Sequence, residues 1–280
     1  MQLAKNAGFC MGVQRALDQV NELLQTGKTI YTYGSIANNE VVVEDLRQKG
    51  VSILHSRSEL MELSQGTVII RSHGVSKDIY EVLRAKKLEY VDATCPFVKK
   101  VHRVVTTARE KGDHILIVGN PEHPEVEGTI GWCEGAVDVL ETPEEAYAYE
   151  PPKGVTICVV AQTTFNYKKF HHMVDILKEK GYNGYVVNTI CNATEERQSE
   201  AQELAAKADV MIVIGGKHSS NTRKLYEICS GECAKTYFIQ TVDDLHLELT
   251  KDVLLVGITA GASTPNKIIE EVQNYVRQNF

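Results

Sequence analysis

Three of the seven cysteines, Cys10, Cys95 and Cys191, occupy matching positions in the chain. Each lies between a short apolar segment with strand character and a segment with helical character. Backbone N–H groups and the helix dipole at such a position favour a thiolate over a thiol, and a thiolate is a metal ligand. The matching positions therefore predict three thiolates that converge on one centre.

The number of thiolates limits the metal centre that they could hold. A structural zinc site normally has a fourth protein ligand. A cubane iron–sulfur cluster held by three cysteines leaves one iron free to take a substrate oxygen and pass electrons to it. Any single cysteine is better explained as a small residue that fills the core, but three cysteines at matching positions of a repeat are better explained as metal ligands. The other four cysteines lack this register and are predicted to be structural, although Cys229-x3-Cys233 could bind a metal.

The elements that carry these cysteines are predicted to form a threefold repeat. Short β-branched strands alternate with amphipathic helices, which is typical of parallel βα units. A unit of about 85 to 95 residues occurs three times, and each unit can form its own small sheet. The fold class is therefore α/β, with three pseudo-equivalent parallel-sheet domains, 1–93, 94–189 and 190–280, around a central cleft. The third unit lacks its closing strand, and Gln2–Ala4 is a candidate to supply it.

Polar loops follow the strands of each unit, at the sheet edge where open α/β sheets bind ligands. They carry hydroxyl, imidazole and amide donors beside helix N-termini, a combination that suits a phosphate or diphosphate. The candidates are His73, His123, Thr163, Thr164, Ser219, Ser220, Asn221 and Ser263. Ser219, Asn221 and Ser263 could instead be helix caps.

Glu125 lies in one of these loops, between His123 and Gly128. If it is desolvated near the metal centre, its pKa would be raised and it could deliver protons. The alternative is a carboxylate in the first turn of a helix that interacts with the helix dipole.

The net charge and the distribution of apolar residues argue against several classes of function. The formal net charge is −7, which argues against a general nucleic-acid binder. No signal peptide opens the sequence and no apolar run approaches a membrane span, so we expect a cytoplasmic protein that binds no membrane.

Eight motifs together resemble one enzyme family, 4-hydroxy-3-methylbut-2-enyl diphosphate reductase of the non-mevalonate isoprenoid pathway. They are Gly8-Phe-Cys-Met-Gly12, His73-Gly-Val-Ser76, Asp92-Ala-Thr-Cys-Pro96, His123-Pro-Glu-Val-Glu-Gly128, Gln162-Thr-Thr164, Cys191-Asn-Ala-Thr194, Ser219-Ser-Asn221 and Thr259-Ala-Gly-Ala-Ser263. The resemblance runs over nearly the full chain.

The resemblance implies a trefoil of α/β domains around one [4Fe–4S] cluster per chain, bound by Cys10, Cys95 and Cys191. It implies a reaction in which an allylic hydroxyl is removed with two electrons and two protons, giving isopentenyl and dimethylallyl diphosphates. Thr163 would contact the substrate hydroxyl region and Glu125 would belong to the proton relay. Ferredoxin or flavodoxin would donate the electrons. The diphosphate would be held by His73, His123, Ser219, Ser220, Asn221 and Ser263, with Thr164 beside them.

Asn38 departs from the family pattern, because it stands where the family usually has a histidine. An amide can donate a hydrogen bond to a phosphate but cannot carry a positive charge. This leaves open a paralogous iron–sulfur reductase or hydro-lyase that acts on a different substrate. A non-catalytic redox sensor is a third alternative, but it would need neither Glu125 nor Thr163.

Overall fold

Strands and helices alternate along the part of the chain that the computed structural model describes, residues 1–246 and 253–279. The first elements are β1 (Gln2–Leu3), α1 (Met11–Leu24), β2 (Ile30–Tyr33), α2 (Glu40–Gln48), β3 (Ser52–Leu54), α3 (Arg57–Glu62), β4 (Thr67–Ile70), α4 (Lys77–Ala85) and β5 (Glu89–Asp92). The next are α5 (Pro96–Glu110), β6 (His114–Val118), α6 (Pro124–Ile130), β7 (Val137–Leu140), α7 (Pro143–Ala148), β8 (Ile157–Ala161), α8 (Tyr167–Glu179) and β9 (Gly184–Val186). The last are α9 (Asn192–Ala205), β10 (Val210–Ile214), α10 (Ser220–Glu232), β11 (Thr236–Ile239), a 3₁₀ helix (Val242–Asp244), β12 (Val256–Ala260) and α11 (Asn266–Asn279).

The strands form three parallel sheets of four strands each, in the orders β3-β2-β4-β5, β7-β6-β8-β9 and β11-β10-β12-β1. In all three sheets the second strand of the repeat lies at one edge, followed by the first strand, the third strand and the closing strand. The N-terminal strand β1 closes the third sheet, where Gln2 lies opposite Gly257 and Leu3 opposite Ile258. The predicted α/β class with three parallel sheets is confirmed, and so is the N-terminal origin of the missing strand.

The chain divides into two compact units. Unit 1 comprises Met1–Gln14, Ala37–Leu46 and Asn192–Phe280, and it contains the sheet closed by β1. Unit 2 comprises Arg15–Ile36 and Arg47–Cys191, and it contains the other two sheets. The division into three domains at 93 and 189 stays a prediction.

Strand residues alternate between two hydrophobic cores in the sheets of β6 and β10. In β6, Leu116 and Val118 pack into the core formed with α8, whereas Ile115 and Ile117 pack into the core formed with α5. Parallel sheets need this cover on both faces, because their strands are apolar throughout. The core therefore fixes the strand ends, from which the polar loops extend.

One helix, α7, is not predicted by hydrophobic periodicity but is marked by its cap. The Thr142 hydroxyl oxygen accepts a hydrogen bond from the Glu145 N–H at 3.2 Å, and the Glu145 carboxylate accepts one from the Thr142 N–H at 3.0 Å, which forms a capping box. The 3₁₀ helix begins in the same way at Thr241. Both short helices follow the second strand of their repeat, as α3 does, so the threefold repeat extends to these connections.

None of the helices in the described ranges is long and apolar enough to cross a membrane.

Candidate active site

The three candidate cluster cysteines are anchored in the same way. The backbone N–H of each donates to the carbonyl of the second residue after the third strand of a repeat. The pairs are Cys10 to Ala262 at 3.0 Å, Cys95 to Ser72 at 2.9 Å and Cys191 to Thr163 at 3.0 Å. Each cysteine also lies just before a helix, at the start of α1, α5 or α9. The repeat therefore places the three thiols equivalently with respect to their own sheets.

Exposure separates these three cysteines from the other four. Cys10, Cys95 and Cys191 are half-buried, whereas the remaining thiols are buried. Burial raises the pKa of Cys133 and of Cys229 to about 12, so neither forms a thiolate readily. Within residues 1–246 and 253–279, no group of three or more His, Cys, Asp or Glu side chains is placed to hold a metal ion.

The loop after the first strand of each repeat ends in a helix cap. The side chains of Asn39, His123 and Ser219 accept from N–H groups of the first turns of α2, α6 and α10. Ser219 accepts from Thr222 at 3.3 Å, so the capping alternative holds for this residue. Asn221 and Ser263 have other partners.

In unit 1 the candidate residues form one hydrogen-bonded group. The Ser263 hydroxyl donates to the Asn38 carbonyl at 3.1 Å, and the Asn221 Oδ1 accepts from the Ala262 N–H at 3.0 Å. Ala262 is the residue that anchors Cys10. The Nδ2 groups of Asn221 and Asn39 are buried and have no hydrogen-bond partner among the described residues. Both amides therefore retain donors that an anionic ligand could use.

A close backbone approach brings the Asn38 loop against the loop after β10. A Cβ atom on Gly216 would overlap the Asn38 carbonyl oxygen, so only glycine fits this position. Ser220 begins α10 two residues after His218. The structure thus gathers Asn38, Ser219, Ser220, Asn221 and Ser263 within unit 1.

In unit 2, Glu125 and Thr163 form a buried pair. The Glu125 Oε1 accepts from the Thr163 N–H at 2.6 Å, and Oε2 accepts from the Thr163 hydroxyl at 2.7 Å. Only 2% of Glu125 is exposed. Burial raises the pKa of Glu125 to about 7, although both hydrogen bonds from Thr163 lower it. Near neutral pH the carboxyl group therefore interconverts between its protonated and ionised forms, as a proton donor requires.

His73 and His123 lie edge to face, with ring centroids 5.4 Å apart. Burial, and then Arg71, lowers the pKa of His123 to about 4. Burial, His123 and Arg71 together lower the pKa of His73 well below its ordinary value. Both rings are therefore neutral near pH 7, and they can donate hydrogen bonds without carrying charge. The His73 Nδ1 is buried without a partner among the described residues.

Thr164 is tied into its own loop, where its hydroxyl accepts from the Gln162 Nε2 at 2.9 Å. The Gln162 Oε1 in turn accepts from the Asn120 N–H at 3.1 Å. The two threonines of this loop therefore differ: Thr163 contacts the acid, and Thr164 contacts a neighbouring amide.

Sequence reasoning missed two residues of these groups. Arg71 lies beside both histidines and its Nε donates to the Gly74 carbonyl at 3.2 Å. β4 ends at Ile70, so Arg71 is the first residue of the loop that leads to His73. Asn39, rather than Asn38, carries the buried amide with an unpartnered donor. Its position directly before α2 was the available signal, because asparagine is a favoured N-cap.

Comparison with known proteins gives one consistent result. A family model described as LytB protein matches residues 1–277. A relative from Thermoanaerobacter sp. (strain X514), named 4-hydroxy-3-methylbut-2-enyl diphosphate reductase, is 46% identical over 98% of this chain and 96% of its own length. A relative of the same name from Clostridioides difficile (strain 630) is 42% identical over 99% of this chain and 98% of its own length.

Two solved structures are similar over nearly the whole chain. One is of (E)-4-hydroxy-3-methyl-but-2-enyl diphosphate reductase, the terminal enzyme of the non-mevalonate pathway. It is 42% identical, has a TM-score of 0.70 and covers 99% of both chains. The other is of the E-1-hydroxy-2-methyl-but-2-enyl-4-diphosphate reductase from Plasmodium falciparum. It is 30% identical, has a TM-score of 0.90, and covers 99% of this chain and 86% of that one.

Proposed function

The chain belongs to the LytB protein family, and we propose that it reduces (E)-4-hydroxy-3-methylbut-2-enyl diphosphate to isopentenyl and dimethylallyl diphosphates. The reaction breaks the allylic C–OH bond: two electrons and two protons enter, one end of the allyl group gains a C–H bond and the oxygen leaves as water. The observation that carries the proposal is the buried Glu125–Thr163 pair, whose acid has a pKa of about 7.

We propose Cys10, Cys95 and Cys191 as the ligands of one [4Fe–4S] cluster per chain. Their side chains are half-buried, and equivalent backbone hydrogen bonds hold the three residues beside helix N-termini, where thiolates are favoured. Their number and type suit the cluster, since three cysteines leave one iron without a protein ligand. What favours them is this chemistry and their equivalent positions in the repeat, because among the described residues no three such side chains are already gathered as a metal site. When bound, the cluster would supply electrons and a Lewis-acidic iron to the reaction.

Glu125 and Thr163 would manage the proton that converts the hydroxyl into water. Glu125 holds a proton at its carboxyl group near neutral pH, and the Thr163 hydroxyl lies 2.7 Å from Oε2. A proton can move from the acid through a hydroxyl that both accepts and donates a hydrogen bond. The Thr163 carbonyl also accepts from the Cys191 N–H, so the loop of the proposed relay is hydrogen-bonded to one of the proposed cluster ligands.

The diphosphate would be bound mainly by neutral donors. The proposed donors are the imidazoles of His73 and His123, with Thr164 in a neighbouring loop. Arg71 adds a positive charge beside the two rings. The other proposed donors are the amides, hydroxyls and N–H groups of Asn38, Ser219, Ser220, Asn221 and Ser263. Buried N–H donors at helix N-termini stabilise anions without a clustered positive charge.

Asn38 keeps a second reaction class open. Its carbonyl already accepts from Ser263, so the side-chain amide is the group left for a ligand at this half-buried position. A hydro-lyase on the same scaffold would also bind an allylic diphosphate, but it would consume no electrons.

One anaerobic assay tests substrate and reaction together. The reconstituted protein is given the hydroxylated allylic diphosphate with dithionite and a viologen mediator, and products and oxidised viologen are both measured. We expect two electrons to be consumed for each isopentenyl or dimethylallyl diphosphate formed. Consumption of the substrate without electron consumption, and without either of these two products, would support a lyase, and an unchanged substrate would refute the proposed reaction.

A second measurement tests the cluster ligands by iron and sulfide content. Cys95→Ser should lose the iron that the reconstituted wild-type chain holds. Cys133→Ser is the matched control, because this buried thiol donates to the Thr129 carbonyl at 3.3 Å and a serine hydroxyl can do the same. Full iron content in Cys95→Ser would remove Cys95 from the ligand set. We expect a cytoplasmic enzyme that receives its electrons from ferredoxin or flavodoxin.

A further inference from the structure

A groove of about 690 Å³ lies in unit 2 between α4 and α5, above the edge strand β5. Its apolar surface is aromatic. Tyr80 lies edge to face with Trp132, with ring centroids 5.8 Å apart, and Trp132 stacks on His102 at 5.0 Å. Aromatic side chains of this kind are enriched where proteins bind each other. None of these groove residues has a role in the proposed reaction.

The groove is basic, although the chain as a whole carries a net charge of −7. Arg84, Lys99 and Arg103 line it, and Asp92 is its single carboxylate. Asp92 forms an ion pair with Lys99 at 2.7 Å, which leaves the two arginines without a carboxylate partner in the groove. Neither guanidinium forms an ion pair or a side-chain hydrogen bond with the residues that the structure describes. The groove therefore presents two uncompensated positive charges to solvent.

One buried polar atom in the groove also lacks a partner. His102 is only 4% exposed, and its Nε2 has no hydrogen-bond partner within the described ranges. Its neutral ring is packed between Trp132 and the backbone of Gly74, where an added Cβ would lie 2.8 Å from Cε1. A polar group entering the groove could satisfy this nitrogen.

The groove adjoins the loop that carries Cys95. Asp92 and Pro96 both line it, and Pro96 is covalently bonded to Cys95. The Trp132 Nε1 donates to the Val75 carbonyl at 2.9 Å, so the groove wall also holds the loop that contains His73. A partner seated here would lie one residue from a proposed cluster ligand.

We propose that this groove is the docking surface for a small acidic electron-transfer protein that delivers electrons beside Cys95. The inference rests on the proposed reductase function. Each encounter oxidises the reduced donor by one electron, and two encounters supply the two electrons that cleavage of one C–OH bond consumes. The two arginines attract the acidic donor, and the aromatic wall contacts it after the charges have steered it.

The test uses a reduced bacterial ferredoxin as the probe and the reconstituted enzyme. Trp132 is the only tryptophan of the chain, so its fluorescence reports directly on the groove. Calorimetry provides an independent Kd. The variant is Arg84→Gln combined with Arg103→Gln. The control is Lys100→Gln, which removes an exposed charge from α5 outside the groove.

We expect the wild-type Kd to rise with salt, and the double variant to bind roughly tenfold more weakly at low salt with a smaller salt dependence. Lys100→Gln should bind like the wild type. Turnover driven by dithionite and viologen should be equal in all three proteins, while turnover driven by limiting ferredoxin falls in the double variant. Unchanged ferredoxin binding in the double variant, with normal dithionite turnover, would overturn the docking surface alone. No dithionite turnover in the wild type would instead refute the proposed reaction.

Discussion

Replacement of Glu125 by glutamine separates the charge of this residue from its hydrogen bonds. The glutamine Oε1 can accept from the Thr163 N–H as the carboxylate does, and its Nε2 can donate to the Thr163 hydroxyl. The side chain keeps its shape and both contacts, so the core around it should not change. What the variant loses is a proton that can be released.

The magnitude follows from the pKa of the buried acid, which is about 7 in the folded protein against an ordinary value of 4.5. Because this pKa is raised, the stability that Glu125 contributes is fully present below pH 4.5 and is lost as the pH rises to 7. At ~1.36 kcal/mol per pH unit, the wild-type chain loses up to about 3 kcal/mol of its free energy of unfolding over this window. Glu125→Gln escapes this loss.

The assay is anaerobic urea unfolding of both proteins at steps between about pH 4.5 and pH 8. The free energy of unfolding of Glu125→Gln, relative to that of the wild type, should rise by up to about 3 kcal/mol. Other titrating groups contribute equally to the free energy of unfolding of both proteins, so their contributions cancel in this difference. Glu122→Gln, an exposed carboxylate in the preceding loop, controls for the loss of a charge.

Turnover should change in the opposite direction. Loss of the acid is expected to reduce kcat by about 10²-fold or more, with iron content unchanged. A difference in stability that stays flat across the pH range would show that Glu125 ionises normally, and the argument for an acid poised near neutral pH would fail. Normal turnover would remove Glu125 from the relay.

Two further predictions follow from single contacts. Thr163→Val removes the hydroxyl that donates to Oε2 of Glu125 but keeps the backbone N–H that donates to Oε1. We expect kcat to fall on the order of 10²-fold. The decline of kcat at alkaline pH should move to higher pH, because the Glu125 carboxylate loses a donor that lowers its pKa. A decline at unchanged or lower pH in the pH–rate profile would contradict this. Gly216→Ala should destabilise the protein by about 1–3 kcal/mol, since its Cβ meets the Asn38 carbonyl. Gly231→Ala, in the last turn of α10 where a Cβ meets no other atom, should instead stabilise it by up to about 0.5 kcal/mol. Thermal unfolding measures both, and equal effects would refute the close approach.

The sheets were predictable because each depends on a local pattern. The apolar runs of β4, β6, β8, β10 and β12 are buried on both faces, which parallel strands require. The parallel pairing of β1, although it has only two residues, followed from the strand missing in the third repeat. The matching positions of the three cysteines likewise indicated which loops lie next to them.

The side-chain contacts on which the proposed chemistry depends were not predictable in the same way. Glu125 and Thr163 are 38 residues apart, and no local pattern encodes their bond. Its place in a polar loop marked Glu125 as a candidate but did not indicate the partner that fixes its orientation. Arg71 was missed because it follows β4 directly, and no local pattern shows that its side chain comes close to His123, which belongs to the next repeat.

The repeat explains why one acid occurs at this site rather than three. In the second and third repeats, the second residue of the helix after the first strand accepts from the N–H of the residue that anchors a cysteine. Glu125 accepts from Thr163 in one, and Asn221 accepts from Ala262 in the other. This shared bond positions the cysteine loop and needs only an oxygen acceptor, so an amide serves as well as a carboxyl group. The additional bond from the Thr163 hydroxyl to Oε2 has no counterpart at Ala262, because alanine has no hydroxyl. The scaffold thus depends on the backbone contact, and the proposed proton relay would depend on the side-chain contact that the second repeat adds to it.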